Sequence, residues 1–392
     1  MALYLFTSSY PFGYGGGFLE EEAIYLSKTF DKVVVIPFAN FNNDKQIDVP
    51  SNFEITECIL KTHTKYNIRG MFNIHAFPLF LLEFFRFGVY KDKIKFRNWL
   101  IEYNHACSLL NSRVCKNIKK QLKQEDVIYS YWGRDAYTLS VFWEGRCKFV
   151  SRFHGSTDLW EEASHDYKPL RGRVMQKLNL AAPVSEKGTI FLKSKYDCKN
   201  IMTSPLGGRD LGVGKKSNDG IYRILSCSNI IPLKRVPMIL ESVKRLNNIK
   251  VEWTHIGSGI GMDEILSLSK IAQNENLRIN ILGQFSHENV LLYYKNHPVD
   301  AFINLSTIEG VPVSIMEAIS FDIPVIATDV GATSEVVTQE TGILLPANPS
   351  VEEVANALMQ LRDNVYTPRK FWNEHYNADK NFTLFSSLIS NL

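Results

Sequence analysis

The chain has 392 residues, 45% hydrophobic and 22% charged, with 44 basic against 41 acidic side chains and a net charge of +3. The length points to two domains, and the composition argues against a disordered or fibrous chain. The near balance of charge gives no ground for nucleic acid as a partner. Six cysteines without Cys-x-x-Cys spacing argue against a zinc or disulfide framework and fit reduced thiols in a cytosol.

Short apolar runs alternate with helix-period segments along the whole chain. The first predicted strand is Leu3–Ser8, with no basic n-region of a signal peptide before it. A glycine-rich turn, Gly13 to Gly17, leads into a predicted helix Phe18–Lys28, and the next strand is Lys32–Phe38. The run His75 to Val89 is too short and too interrupted to span a membrane. Because its apolar residues fall on more than one face, it is read as a core helix with a solvated basic continuation; the alternative is an interfacial segment touching lipid headgroups. Strands follow at Val127–Tyr131, Lys148–Phe153 and Lys199–Thr203.

Leu206 to Gly220, rich in glycine and polar residues, is the best linker. After it come strands Tyr222–Ser226, Val251–Ile256, Arg278–Leu282, Ala301–Leu305, Pro324–Thr328 and Gly342–Leu345. Helices Val236–Leu246, Met262–Gln273, His287–Asn296 and Val351–Leu361 lie between or after them. This alternation predicts an α/β chain with parallel sheets in two Rossmann-like halves, whose ligands sit beyond the carboxyl ends of the strands.

The densest constellation follows the strand at Ala301. Glu309 and Gly310 lie on a loop, a helix is predicted to start near Ser314, and Glu317 sits in its first turns. A helix start between two carboxylates offers free amides for phosphate and acids for hydroxyls. Taken alone, Ser314-x-x-Glu317 also reads as a capping box, and Glu309 as a solvated loop acid. The two together beside Gly310 favour a ligand site.

The stretch Glu309 to Glu317, followed by Ile323-Pro324-Val325-Ile326-Ala327-Thr328-Asp329-Val330-Gly331 and Glu335-Val336-Val337, resembles the donor-binding signature of family 4 retaining glycosyltransferases. The resemblance is dense over residues 301–345. It implies the GT-B fold: two Rossmann-like domains facing a central cleft, with a C-terminal helix crossing back. On that reading residues 1–210 bind the acceptor, 211–370 bind the nucleotide-sugar donor, and 371–392 return to the N-terminal domain.

The same resemblance implies residue roles. Glu309 would contact the transferred sugar near its 3-hydroxyl and Glu317 the ribose hydroxyls. The backbone from Gly310 through Val311, Pro312, Val313 and Ser314 would line the sugar. Pro312 departs from the glycine common in the family, and proline lacks an N–H to donate. After the strand at Tyr222, Lys234 matches a lysine that holds the donor diphosphate. Asn229 stands where an arginine is usual, and Arg235 is taken to supply the missing charge, because a guanidinium grips phosphate in a bidentate way. His154, on a polar loop after the strand at Lys148, matches the histidine near the reacting sugar, and Asp158 beside it is also an ordinary helix cap. Gly15, Gly16 and Gly17 match a loop facing the donor phosphate and acceptor. Gly257 and Ser258 match a second glycine turn close to the nucleotide, with Gly283 and Gln284 near its base.

Retaining transfer by this fold needs no protein nucleophile: the leaving diphosphate takes the acceptor's proton. No Asp-x-Asp pair occurs in a position to carry a metal, so no metal or other cofactor is expected. The implied partners are a nucleotide-sugar donor and a glycan or lipid-linked acceptor in cell-surface polysaccharide synthesis, for instance of lipopolysaccharide. The expected location is the cytoplasm, at the inner face of the membrane on the alternative reading in which residues 75–97 make a peripheral membrane contact. A nucleotide-sugar epimerase of the same fold and a non-catalytic sugar-nucleotide-binding protein are the rival readings. A nicotinamide dehydrogenase is disfavoured, because Phe18 stands where the third glycine of its fingerprint belongs.

Overall fold

In a computed structural model of the chain, described over residues 1–13, 17–42, 44–60, 72–155, 158–159 and 167–392, the apolar runs form two six-stranded parallel sheets. The first contains β1 (Ala2–Thr7), β2 (Lys32–Pro37), β3 (Phe53–Ile55), β4 (Val127–Ser130), β5 (Lys148–Phe153) and β6 (Leu180–Pro183), in the spatial order β3-β2-β1-β4-β5-β6. The second contains β7 (Tyr222–Cys227), β8 (Val251–Ile256), β9 (Leu277–Ile281), β10 (Ala301–Asn304), β11 (Val325–Thr328) and β12 (Gly342–Leu345), in the order β12-β11-β10-β7-β8-β9. Both are doubly wound. The strand order reverses between β1 and β4 in one and between β7 and β10 in the other, and ligands of such sheets bind beyond the carboxyl ends of the strands at that reversal.

Burial explains the apolar runs. In β1, Leu3 and Leu5 enter one core cluster and Tyr4 and Phe6 another, on opposite faces of the sheet. With helices on both faces, every position of such a strand is apolar and the two-residue alternation disappears.

The two compact units are Met1–Ser204 together with Phe382–Leu392, and Pro205–Asn381. The chain thus leaves the first unit a few residues before the boundary expected at 210. It rejoins that unit at Phe382 rather than at 371, because the helix Pro368–His375 buries Phe371 and Trp372 within the second unit. Inside the second unit, Asn381 Nδ2 donates to the Leu206 carbonyl at 2.8 Å, so the outgoing and returning segments run side by side.

Arg152, at the centre of the first unit, is wholly buried. Its Nε donates to the Tyr129 hydroxyl at 2.8 Å and one terminal nitrogen donates to the Ser204 carbonyl at 2.7 Å. The other terminal nitrogen lies 3.3 Å from Glu22, and the guanidinium covers the Phe385 ring at 4.1 Å. A buried cation is tolerated only when its partners replace water, and these partners come from a helix, a strand, the exit segment and the returning helix.

Several expectations are corrected. Lys199–Thr203 is not a strand; Ile201 makes a single bridge to Ala181, because the segment touches β6 only in passing. The sheet edges β3 and β6 escaped the sequence reading. Phe53–Ile55 is too short to show a period, and Leu180-Ala-Ala-Pro lacks the β-branched residues that mark strands. The helix Ala76–Arg86 is not a core helix throughout: it buries Ala76, Phe80 and Glu83 and exposes Phe77, Leu81, Leu82 and Phe85.

Candidate functional site

In the second unit, the residues singled out by sequence gather at the reversal between β7 and β10. The loop after β7 ends in a 3-10 turn, Pro232–Lys234. Thr307, after β10, donates its amide to the Leu233 carbonyl at 2.8 Å, tying the two loops together. That tie brings Lys234 Nζ to 2.6 Å from Glu309 Oε1, in a pair about four-fifths buried. Asn304, the last residue of β10, donates from Nδ2 to the same Glu309 oxygen at 3.2 Å. An ion pair so sheltered is stronger than a surface one, and separating it requires a group of equal charge to replace the carboxylate or the ammonium.

Close packing fixes the Glu309–Gly310 turn. The Gly310 carbonyl accepts from Ala332 at 2.9 Å. Gly331, at φ 57°, lies so near that a Cβ there would come within 2.0 Å of the Glu309 carbonyl oxygen. The helix that follows is Val313–Ser320, with Pro312 as its N-cap and no side-chain cap. It therefore begins one residue before the expected Ser314, and the capping-box reading falls: Ser314 lies inside the helix and Glu317 is not needed to cap it. Pro312 gives up its amide at a position outside the helix; the Ile315 amide donates to the Pro312 carbonyl at 3.2 Å, and no side chain caps the amides of Val313 and Ser314. Such amides carry the positive end of the helix dipole. Val311 and Val313 are buried and wall the turn.

Glu317, only 6% exposed, receives a hydrogen bond from His287 Nε2 to Oε1 at 2.6 Å. Sequence reasoning placed His287 only at the start of a helix. The one available signal was its position behind Ser286, which caps that helix and directs the first-turn side chains. Burial pushes the nearby Cys227 thiol up to about 12, so it is no thiolate near neutrality.

The turn after β8 closes the second side. Ile230 donates its amide to the Ser258 carbonyl at 2.9 Å, Gly257 donates to the Gly283 carbonyl at 2.8 Å, and the Ser258 hydroxyl donates to Gln284 Oε1 at 3.3 Å. Gly257 has φ 145°, and a Cβ there would fall 1.9 Å from the Ser228 carbonyl oxygen, so only glycine allows this approach. Beneath it runs a directional chain: Trp253 Nε1 donates to Ser226 at 3.0 Å, the Ser226 hydroxyl donates to His255 Nδ1 at 2.8 Å, and His255 Nε2 donates to the Ser228 carbonyl at 3.1 Å. Burial holds His255 neutral, with its pKa lowered to about 4, so the ring acts as a fixed strut.

Arg235 does not join this group. Its guanidinium donates to the Ala347 carbonyl at 2.8 Å and to Asn348 Oδ1 at 2.5 Å, beyond β12. Lys234 is the cation that meets the carboxylate.

In the first unit, His154 follows β5 and is 6% exposed. Its Nε2 donates to the Tyr131 carbonyl at 3.0 Å, and its ring packs on Trp132 at 4.2 Å. Burial, and next the Arg152 charge, lower its pKa to about 3. The imidazole is therefore neutral, with Nδ1 left as an acceptor. Asp158 holds this loop, accepting from the amides of Gly133 at 3.0 Å and His154 at 3.1 Å through one oxygen. Gly15 and Gly16 lie outside the described residues, and Gly17 opens the helix Gly17–Thr29.

At the reversal between β1 and β4, the structure adds Asp135, which the sequence did not mark. It is 3% exposed, it accepts from the Ser8 hydroxyl at 2.8 Å, and its other oxygen has no partner. Burial, and less strongly the Asp158 charge, raise its pKa to about 8. Among the described residues no group of three or more His, Cys, Asp or Glu side chains could hold a metal ion.

Residues 213–377, most of the second unit, match the family model described as Glycosyl transferases group 1, so the family resemblance read from residues 301–345 extends across that unit. The GtfA subunit of the UDP-N-acetylglucosamine–peptide N-acetylglucosaminyltransferase of Streptococcus agalactiae is 26% identical over 161 residues. That match spans 39% of this chain and 30% of that protein. The O-antigen biosynthesis glycosyltransferase WclY of Escherichia coli is 22% identical over 303 residues, covering 70% of this chain and 82% of that one. The solved structure of the lipopolysaccharide outer core galactosyltransferase WaaB, apo form, superposes over the full length of both chains with a TM-score of 0.67 at 14% identity. The fold is that of the GT-B glycosyltransferases.

Proposed function

We propose that this chain, whose second unit matches glycosyl transferases group 1, is a retaining glycosyltransferase. It moves a sugar from a nucleotide-sugar donor to a glycan or lipid-linked acceptor in the synthesis of a cell-surface polysaccharide. The observation that carries the proposal is the grouping at the β7–β10 reversal of a sheltered Lys234–Glu309 pair, an uncapped helix start at Val313 and a buried Glu317. Each part has a donor group to meet. Glu317, oriented by His287, accepts from the ribose hydroxyls. The diphosphate takes Lys234 and the free amides, whose positive charge stabilises the leaving group as the sugar bond breaks. Glu309, released from Lys234, accepts from a hydroxyl of the transferred sugar. Gly257 and Ser258 let the nucleotide approach the backbone.

His154, neutral and held through Nε2, serves as a hydrogen-bond acceptor to the reacting sugar rather than as an acid or base. Positive charge at the diphosphate comes from the protein, so the transfer runs without a divalent metal. The names of GtfA and WclY support a uridine diphosphate sugar and a surface glycan as the first substrates to try.

The test is thermal melting with a panel of nucleotide-sugars and free nucleotides, with Glu317→Ala as control. A ligand at about 100 times its dissociation constant adds roughly 2.7 kcal/mol of stability. We expect one nucleotide-sugar to raise the melting temperature, the variant to lose that response, and a chelator to leave turnover unchanged. If no nucleotide-sugar stabilises the protein, the transferase reading fails. If the donor is converted to an epimer with no acceptor present, the enzyme is an epimerase.

A further inference from the structure

The strand β10 reads Ala-Phe-Ile-Asn, and only its last residue is polar. Asn304 is buried at the carboxyl end of a strand paired on both sides, with β7 and β11. A buried side-chain amide is tolerated when both of its ends find partners. Its Oδ1 accepts from the Ser306 amide at 3.0 Å and from the Ser306 hydroxyl at 2.6 Å. The Thr328 hydroxyl, at the end of β11, donates to the Ser306 carbonyl at 2.5 Å, so the turn behind Asn304 is itself tied to the next strand. A backbone amide can only donate. The Ser306 amide therefore fixes which end of the Asn304 side chain is the oxygen, and the NH2 end faces Glu309.

Both donors to Glu309 meet the same oxygen. Lys234 Nζ lies 2.6 Å and Asn304 Nδ2 3.2 Å from Oε1, and among the described residues no donor reaches Oε2. The two donors differ in what holds them. Lys234 reaches the carboxylate on a long flexible stem from the 3-10 turn Pro232–Lys234. Asn304 stands on a central strand, with a short side chain fixed from behind by Ser306. A diphosphate, with more negative charge than one carboxylate, draws the ammonium towards itself and leaves the amide where it is.

We propose that Asn304 is a positioning residue of the donor site: its amide keeps Glu309 Oε1 in place once Lys234 has turned to the diphosphate, so that Oε2 is presented to a hydroxyl of the transferred sugar. This role rests on the transferase reading and names the residue through which the sugar, as distinct from the nucleotide, is held. The turn at Ser306 does not by itself account for an asparagine. An aspartate accepts from an amide two residues on equally well, but it would set a second carboxylate against Glu309. Asparagine accepts from Ser306 and donates to a carboxylate within one short side chain. A donor held in this way reaches the sugar site without the cost of ordering a loose carboxylate.

The test is isothermal titration of the full chain with two probes: the nucleotide-sugar of the melting panel that stabilises the parent most, uridine diphosphate sugars first, and the matching free nucleoside diphosphate. Parent, Asn304→Ala and Asn304→Asp are compared, with melting temperature as the folding control. We expect affinity for the nucleotide-sugar, relative to the nucleoside diphosphate, to fall about tenfold in Asn304→Ala, the size of a lost hydrogen bond to a charged group. In Asn304→Asp, which retains the acceptor for Ser306, we expect a fall at least as large. A merely structural role gives a different pattern: Asn304→Asp behaves as the parent, and Asn304→Ala lowers the melting temperature without changing the ratio of affinities. The proposal is overturned, with the transferase reading intact, if either folded variant keeps the parental ratio. If no nucleotide-sugar of the panel stabilises the parent, the transferase reading falls and this role falls with it.

Discussion

At the scale of single residues, the two carboxylates of the candidate donor site rest on different supports. Glu309 is held by a cation and an amide, Lys234 and Asn304, while Glu317 is held by one histidine. The buried carboxyl of Asp135 makes its own prediction. Its pKa stands near 8 in the folded chain against 3.8 ordinarily, so between those values the folded state binds the proton that the unfolded chain has released. The associated stability is present at low pH and lost as pH rises through about 8. His154 acts with the opposite sign below 6.5, and Lys168, lowered to about 8, acts above that value. Between pH 6.5 and 8 neither group opposes the Asp135 effect, and the carboxyls of Glu22, Glu83 and Asp158, also raised by burial, shift in its direction. Across that range we expect the parent to lose stability in urea titrations and Asp135→Asn, which keeps an acceptor for Ser8, to lose less. Parallel curves would show that Asp135 is already ionised.

At the scale of elements, the turns after β8 and β10 that shape the site are each set by a close approach that only glycine permits, at Gly257 and at Gly331. Gly331 supports Glu309 from below with no room for a Cβ. Gly331→Ala would force the Glu309–Gly310 turn to move or leave the backbone strained, at a cost of about 1–3 kcal/mol. We expect a lower melting temperature and donor binding weakened by at least about tenfold. A variant with unchanged donor affinity would show that this turn does not shape the site. The helix after it illustrates a limit of local reading. Ser-x-x-Glu is a good capping pattern, yet the helix starts at Val313 with Pro312 as the N-cap, so Ser314 already lies inside it and cannot cap.

At the scale of the whole molecule, the last eleven residues belong to the unit that begins the chain. Phe385 and Ile389 are buried in its core, and Phe385 lies under Arg152. Truncating a buried phenylalanine costs about 3–5 kcal/mol, and here it would also uncover a buried guanidinium. We expect Phe385→Ala to unfold the first unit at markedly lower urea while donor-induced stabilisation of the second unit persists. A single unchanged transition would refute that division of roles.

Much of this was legible in advance. The two α/β halves, all the inner strands and the residues Lys234, Glu309, Gly257 and Glu317 could be read from the sequence. Strands covered on both faces must be apolar at every position, and a ligand loop after a strand keeps its polar and glycine residues close together in the chain. The partners were not legible: His287 for Glu317, Ala347 and Asn348 for Arg235, Tyr131 for His154, and the orphaned oxygen of Asp135. These contacts join residues far apart in the chain, and only the order of strands within a sheet decides which loops become neighbours. Nor could the sequence decide which face of Ala76–Arg86 is buried, because apolar residues occur on both. What it determined alone was the periodicity of burial and the chemistry carried by each loop. Tertiary packing decided which charges meet, which protons are held and which apolar face remains uncovered, because these depend on distances through space and on the exclusion of water.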